Sequence, residues 1–318
     1  MGEELFVFNG IDGQSGESLF PGWSGQQMLQ MGSSANDDHL DQLARIWEMK
    51  QPHFGLTFSY KYEDLSSAGW GVVFPAKEEP GVYEELKPLL DLRKEMAGER
   101  YRECRGEFGY QENDQKRGFL KRNGAAPSGA VDPRKFPYYL LFVGSPTQIP
   151  FDFQYAIDVQ YGVGRIHFDS VDDYGRYAEA VVNAVKGKVR RERKASFFGV
   201  AQPGDRSTLL SAEFLTEPLR RSIAETYQGK GWQVDSVVAE AATKSKLTSL
   251  LGGEDTPAFL FCATHGVGSG MEWDRQATDQ GALLCQGYTG GDPRQFYFAS
   301  EDLNSDANVA GTVAMWFA

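Results

Sequence analysis

A histidine and a glycine stand at the end of a short apolar run, and this pair opens the chemical interpretation of the sequence. The run covers residues 257–264, begins at Pro257 and leads into His265 and Gly266. Its length and its boundaries predict a buried strand rather than a surface helix. An imidazole can serve as a general acid or base, and a glycine beside it can offer an unobstructed backbone N–H to a developing negative charge. His265 and Gly266 could therefore supply acid–base chemistry and a hydrogen-bond donor, although a histidine after a strand is more often an ordinary polar residue at the edge of a sheet.

The elements around this pair predict its place in the fold. Across residues 137–318, short apolar runs alternate with amphipathic segments, which indicates an α/β fold with a mostly parallel sheet flanked by helices. A residue just past the carboxyl end of a strand in such a sheet lies where these folds place their chemistry. Another strand is predicted at 195–201, after which Ser207 or Thr208 is expected to cap the next helix.

Composition changes divide the rest of the chain. Residues 1–50 are rich in Gly, Ser, Gln and Asp, and we predict a flexible arm that leads into a short helix beginning near residue 41. Residues 51–136 predict a smaller N-terminal α/β subdomain, with a helix at 82–96. Its polar stretch at 105–135 lacks periodicity and is predicted to form a long loop or insertion.

Charge and hydropathy exclude several classes of function. The chain has 318 residues, a net charge of −12 and a pI near 4.9, so it lacks the basic surface that nucleic-acid binding requires. It contains no apolar run of 18 residues and its amino terminus does not resemble a signal peptide, so we predict a cytoplasmic protein without a membrane partner.

Cofactor and metal motifs are missing from the sequence. Its three cysteines form neither a disulfide framework nor paired CxxC units, and its four histidines include no HExxH arrangement. The glycines at 266–270 follow a histidine instead of opening a helix, and no GxxxxGK[ST] segment occurs. We therefore expect neither a bound metal nor an organic cofactor.

Several segments resemble the caspase-like cysteine peptidases, in which one strand delivers a His-Gly pair and a later strand delivers the catalytic cysteine. Residues 138–150 look like a strand and turn of gingipain-like peptidases, and residues 158–166 match the Asp, Tyr and Gly-Arg-Ile pattern of the same family. Residues 281–286 and 297–303 resemble stretches of CHAT-type proteins, which are bacterial caspase-like domains. The resemblance covers roughly residues 137–318.

This resemblance implies a caspase-like fold and a cysteine endopeptidase of a bacterial defence or regulatory system. It implies a protein or peptide substrate, His265 as the general acid/base, and Gly266 together with the nucleophile as backbone donors to the oxyanion. The terminal strand at 312–318 stands where the family carries an Ala-Cys step. The nucleophilic cysteine is thus expected just after Ala318, and the chain as given is expected to be inactive. Relatives are commonly activated by a partner, so a regulatory protein partner is also expected.

Two alternatives remain open. The chain could be a catalytically inactive caspase-like module with a regulatory or scaffolding role. It could also use Cys285 as the nucleophile with His265, although an apolar strand around Cys285 favours a small buried side chain. Cys262 is predicted to be buried and inert, whereas Cys104 has arginine neighbours that could lower its pKa.

Substrate specificity has only weak signals in the sequence. Gingipain-like enzymes cleave after basic residues by means of an acidic group in the first pocket. Acidic residues that could line such a pocket are Glu272, Asp274, Asp158, Asp152 and Asp302. Each is more typical of a solvated surface carboxylate, but the overall acidity favours a basic residue at the cleavage position.

Overall fold

The computed structural model describes residues 5–6, 23–24, 54–57, 60–268, 274–288 and 293–317. Within residues 1–50 it describes only an antiparallel pair, β1 (Leu5–Phe6) with β2 (Trp23–Ser24), so the predicted arm and the helix near residue 41 lie outside the described residues. The chain divides into two compact units, Met1–Ala178 and Glu179–Ala318.

A four-stranded, all-parallel sheet forms the centre of the first unit. Its order is β4 (Tyr101–Cys104), β3 (Trp70–Val73), β5 (Tyr139–Val143) and β6 (Gly162–Ile166). The sequence had assigned β5 and β6 to a separate domain that begins at residue 137. They belong instead to the sheet of the first unit, because β5 forms its ladder with β3. Such pairing between distant segments leaves no local sequence signal.

The described helices of this unit are α1 (Leu65–Ala68), α2 (Val82–Ala97), α3 (Lys116–Arg122), α4 (Phe151–Asp158) and α5 (Val171–Val185), and the division between the units falls within α5. Helix α3 lies inside the stretch predicted as a loop. Its Phe119 and Leu120 are fully buried, and Phe119 packs edge-on against Phe136 and Phe153. Two apolar residues in a seven-residue helix are too few to produce a recognisable period.

A second four-stranded, all-parallel sheet forms the centre of the other unit. Its order is β12 (Val313–Phe317), β9 (Phe259–Ala263), β7 (Lys194–Gly199) and β8 (Gln233–Val238). A short antiparallel pair, β10 (Leu283–Leu284) with β11 (Tyr297–Phe298), lies outside this sheet. The described helices are α6 (Arg206–Ser211), α7 (Glu217–Thr226), α8 (Lys244–Leu250) and α9 (Gln276–Asp279), and a π-helical segment, Ala212–Thr216, joins α6 to α7.

Alternate residues of the central strands pack on opposite faces of the second sheet. Phe198, Leu260 and Cys262 form a core with Leu247 and Leu250 of α8. On the opposite face, a second core consists of strand residues Ala195, Phe197, Phe261 and Ala263 and of helix-side residues Leu215, Leu219 and Ile223. Full burial of one such phenylalanine side chain stabilises the fold by about 1.5–3 kcal/mol. Burial on both faces explains why the strands read as continuous apolar runs.

The edge strand β12 differs from its neighbours, because all five of its residues are exposed. It nevertheless pairs in parallel with β9 over its whole length, with Phe317 opposite Ala263. These observations confirm an α/β fold with parallel sheets and flanking helices, in the form of two sheets instead of one. They also place the carboxyl ends of β7, β9 and β12 along one edge.

Candidate active site

The backbone at His265 is held from two sides. Thr264 follows the last residue of β9, and its N–H donates to the carbonyl oxygen of Phe317 at 2.9 Å. The Thr264 hydroxyl donates to the carbonyl oxygen of Leu284, whose own N–H donates to the carbonyl oxygen of His265 at 3.0 Å. The imidazole itself is 46% exposed. A fixed backbone with an open ring is the arrangement that a catalytic histidine requires.

Asp205 provides a partner for this ring. Its Oδ2 atom lies 2.6 Å from Nε2 of His265, and its Oδ1 atom accepts the backbone N–H of Ser207 at 3.0 Å. The second contact makes Asp205 the N-cap of α6. The prediction of Ser207 or Thr208 as the cap is therefore wrong by two or three residues, because a carboxylate before the helix satisfies its free N–H group.

The carboxyl group of Asp205 is in the charge state that can orient the imidazole of His265. Burial would raise the pKa of its carboxyl, but hydrogen bonds from His265, Thr208 and Ser207 lower the pKa below its ordinary value. The carboxylate is thus ionised at neutral pH and favours a proton on Nε2 of the imidazole. Nδ1 then retains its lone pair, so it can accept a proton from a reacting group and later donate it back. Asp205 therefore holds the ring in one tautomer and one orientation.

The loop that carries Asp205 is attached to the segment that follows the histidine. The side-chain amide of Gln286 accepts from the N–H of Ala201 at 2.8 Å and donates to the Ala201 carbonyl at 2.9 Å. Gln202 donates from its side-chain amide to the carbonyl oxygen of Cys285 at 3.3 Å. These bonds connect the end of β7 with the end of β10, so Asp205 and His265 are positioned by one continuous hydrogen-bonded network.

Gly266 presents its backbone away from β10. It lies opposite Leu283 in an antiparallel bridge, between the bond from Val267 N–H to the Ala282 carbonyl and the bond from Leu284 N–H to the His265 carbonyl. In this register the N–H and C=O groups of Gly266 point to the outer side of the pair. The residue is exposed, so its N–H is available to an incoming oxygen atom.

An ion-pair network stabilises the chain segments beyond Gly266. Asp279 is fully buried and accepts hydrogen bonds from Arg275 at 2.7 Å and from the Tyr297 hydroxyl. Arg275 also binds Glu301 at 2.7 Å. Asp302 accepts from Arg294 at 2.7 Å and pairs with Lys244 at 2.8 Å. The carboxylate of Asp302 is therefore occupied by these two ion pairs. It does not form the free acidic wall of a substrate pocket that the sequence analysis considered.

The other predicted site residues are scattered. Asp274 is exposed and lies just before α9, and Glu272 is outside the described residues. Asp152 and Asp158 lie on α4 of the first unit, both exposed. The structure thus brings His265 and Gly266 together with Asp205, which the sequence analysis did not single out. Its available signal was its position in the loop after a predicted strand, at the same sheet edge as His265.

The three cysteines are all buried and free. Cys285 packs in the core with Phe198 and Leu247, and burial raises the pKa of its thiol to about 12. Burial also raises the pKa of Cys262. Burial likewise raises the pKa of Cys104 to about 12, because Arg102 and Arg122 lower it less than desolvation raises it. The expectation of a lowered pKa at Cys104 is therefore wrong, and the core position of Cys285 counts against its use as a nucleophile.

Comparison of the chain with family models, with curated proteins and with solved structures finds no match. None of the helices in the described part of the chain is both long and apolar enough to cross a membrane. Over the same described ranges, no three His, Cys, Asp or Glu side chains gather closely enough to hold a metal ion. The functional interpretation therefore depends on the geometry around His265.

Proposed function

We propose that this chain forms the histidine-bearing part of a caspase-like cysteine endopeptidase, with the nucleophilic cysteine at the position after Ala318. The pairing of His265 with Asp205 at the carboxyl edge of a parallel sheet is the observation that carries this proposal. An imidazole that a carboxylate orients through one nitrogen, with the other nitrogen facing the substrate side, suits acid–base catalysis at such an edge.

The register of β12 supports the position of the nucleophile. Phe317 lies opposite Ala263, and Thr264 donates its N–H to the Phe317 carbonyl. If the pairing continues in register, the position after Ala318 lies beside His265. Neighbouring parallel strands are about 4.8 Å apart, so side chains at those two positions can both reach one substrate carbonyl group.

The chemistry follows from these positions. The Nδ1 atom of His265 first accepts the proton of the cysteine thiol. The resulting thiolate attacks the scissile carbonyl carbon, and the carbonyl oxygen takes up the negative charge and accepts a hydrogen bond from the N–H of Gly266. His265 donates a proton from Nδ1 to the leaving amine, which breaks the peptide bond and leaves a thioester. His265 then takes a proton from water, which hydrolyses the thioester, releases the carboxylic acid product and restores the thiolate. Asp205 keeps the ring oriented throughout these steps.

A basic residue on the amino-terminal side of the cleaved bond is the proposed substrate preference. The exposed carboxylate of Asp274 lies shortly after the histidine in the chain, and the net charge of −12 attracts basic segments. Glu272 would add to this acidity. Peptides that present Arg or Lys should therefore be cleaved faster than peptides that present Asp.

A non-catalytic regulatory module is the second candidate function. The observation that favours it is the burial of every cysteine in the sequence, since a thiol with a pKa near 12 is not a nucleophile at neutral pH. In that case the Asp205–His265 pair would serve only to stabilise the start of α6.

The experiment that separates the two candidates begins with the coding sequence beyond Ala318. The protein extended through that region should be tested on fluorogenic Arg, Lys and Asp peptides, beside His265→Ala and a control, His167→Ala, on the first unit. A peptidase should lose its activity by about 100-fold or more in His265→Ala and retain it in the control. A non-nucleophilic residue or a stop after Ala318, or activity that survives His265→Ala, would reject the peptidase.

A further inference from the structure

A groove of about 700 Å³ opens on the sheet of the first unit. Strands β5 and β6 form its floor, and the end of α2 forms one wall through Arg93 and Met96. Its volume is in the range of sites that bind small molecules and peptide side chains. The groove uses neither His265 nor any other residue of the proposed active site.

Arg93 is an unusual wall residue because its guanidinium has no oxygen acceptor among the described residues. Its Nε atom is buried without a hydrogen-bond partner, and its Nη1 donates only to the Met96 sulfur at 3.4 Å. Among the described residues no carboxylate forms an ion pair with Arg93. Burial lowers the pKa of the guanidinium, as expected for a cation removed from water without a counter-charge. A carboxylate that reached the terminal nitrogens of the guanidinium from the groove would supply oxygen acceptors in the paired geometry that guanidinium groups favour.

Aromatic side chains form the other walls. Tyr139 is fixed by a hydrogen bond from its hydroxyl to the Tyr62 carbonyl at 3.1 Å, and Trp70 stacks on Tyr101. Both Tyr139 and Trp70 line the groove. A flat aromatic or apolar group packed against these rings would bury its surface while an attached acidic group reached Arg93.

Two glycines of β6 leave space above the floor of the groove because they carry no side chain. A Cβ atom at Gly162 would collide with the Tyr139 ring at 2.9 Å, so this glycine is required by the packing of the wall. A Cβ atom at Gly164 would meet only the Leu141 side chain, at 3.8 Å. Gly164 is therefore not required by its neighbours, and a larger side chain there would project into open space above the floor.

Acidic residues at the rim limit the charge that the groove can accept. Glu63 and Asp158 are exposed and line the groove. Their carboxylates would repel a phosphate or another multiply charged anion. We propose that this groove binds a single carboxylate carried on an aromatic or apolar body, with the carboxylate on Arg93. Either a free carboxylic acid or the carboxyl terminus of a peptide that ends in an aromatic residue has this chemistry.

Calorimetric titration of the 318-residue chain with N-acetylphenylalanine tests the proposal. N-acetylphenylalaninamide, which has the same body without the charge, should bind at least about tenfold more weakly, and inorganic phosphate should also bind more weakly. A short peptide that ends in phenylalanine distinguishes the sources: tighter binding than the free acid indicates a peptide terminus, and absence of binding indicates a small acid.

Variants locate the site. Arg93→Gln should weaken the binding of N-acetylphenylalanine by about tenfold or more, whereas Lys94→Gln, the adjacent exposed charge on α2, should leave it unchanged. Gly164→Val should block binding because its side chain would occupy the space above β6. It tests the site independently if circular dichroism shows that Arg93→Gln does not fold. The proposal is overturned if the acid does not bind at millimolar concentration, if acid and amide bind equally, or if folded Arg93→Gln or Gly164→Val binds like the parent chain.

Discussion

The Nε2 atom of His265 lies 2.6 Å from the Oδ2 atom of Asp205, a residue 60 positions earlier in the chain. The other carboxylate oxygen of Asp205 caps α6. One side chain therefore connects the start of a helix to the ring that we propose as the acid–base group. Its substitution should affect both the stability of the fold and the state of the imidazole.

Replacement of Asp205 separates these two effects. Asp205→Ala removes the cap and should lower the free energy of unfolding by about 1 kcal/mol in urea denaturation. Asp205→Asn retains a capping oxygen and should cost less, but it removes the negative charge that favours a proton on Nε2. The ring nitrogen shifts of His265, measured by NMR, should therefore change in both variants.

Asp64→Ala is the matched control, since Asp64 caps α1 through the N–H of Ser66 at 2.9 Å. It should lower stability by a similar amount and leave the ring shifts of His265 unaltered. Identical ring shifts in the parent chain and in Asp205→Asn would show that the carboxylate does not set the tautomer.

Asp255 should make stability depend on acid pH. Hydrogen bonds from Lys246 and Ser249, with Lys194 nearby, lower the pKa of its carboxyl to about 2, whereas an aspartate in the unfolded chain has a pKa of about 3.9. Its folded pKa is depressed, so its contribution is fully present above the unfolded value and is lost as pH falls from about 4 to about 2.

Unfolding measured between pH 6 and pH 2 checks this expectation. The stability difference between the parent chain and Asp255→Asn should shrink through the interval from pH 4 to pH 2. Glu254→Gln, which removes a neighbouring exposed charge, is the matched control variant. A difference that stays constant down to pH 2 would contradict the assignment.

The thiols should be almost unreactive while the chain is folded. With a pKa near 12, Cys104 and Cys285 are about one part in ten thousand thiolate at pH 8. Cys262 is also buried. Fewer than one thiol per chain should react rapidly with a disulfide reagent in buffer, and three should react in denaturant. Rapid native labelling of Cys285 would revive it as a candidate nucleophile.

Phe119 should be a major source of stability in the first unit. It is fully buried and packs edge-on against Phe136 and Phe153. Phe119→Ala should lower the free energy of unfolding of that unit by about 3–5 kcal/mol, because it leaves a cavity in a close-packed core. Phe214→Ala, which removes a side chain that is 67% exposed, should change stability by less than about 0.5 kcal/mol. Equal losses of unfolding free energy in the two variants, measured by chemical denaturation, would contradict the packing described for Phe119.

Local patterns in the sequence predicted many of the elements and the position of His265 and Gly266 just past a strand. The run before His265 forms β9, and Gly266 follows at the exposed sheet edge, as a bounded apolar run and the rule for parallel sheets had indicated. The helix at 82–96 is present as Val82–Ala97. Such features depend on neighbours within a few positions, which a single sequence displays.

Features that depend on distant contacts were not predictable. The pairing of β5 with β3 moved the boundary between the units, and the burial of Phe119 created a helix in a stretch that lacks periodicity. Asp205 follows a strand at the correct edge, yet many polar loop residues do so. Only the folded arrangement shows which of them approaches His265.

The π-helical segment between α6 and α7 makes this region sensitive to insertions. Its wide turn absorbs one residue more than an α-helical turn holds, so α6 keeps nearly the rotation of a continuous helix relative to the apolar residues Leu215, Leu219 and Ile223, which pack on the sheet. A further residue inserted into Ala212–Thr216 would exceed what this turn absorbs and would rotate α6 by about 100° relative to those apolar residues. Asp205, which caps α6, would then move away from His265 while the core stayed filled. The number of residues in this segment, more than its composition, therefore holds the carboxylate against the imidazole.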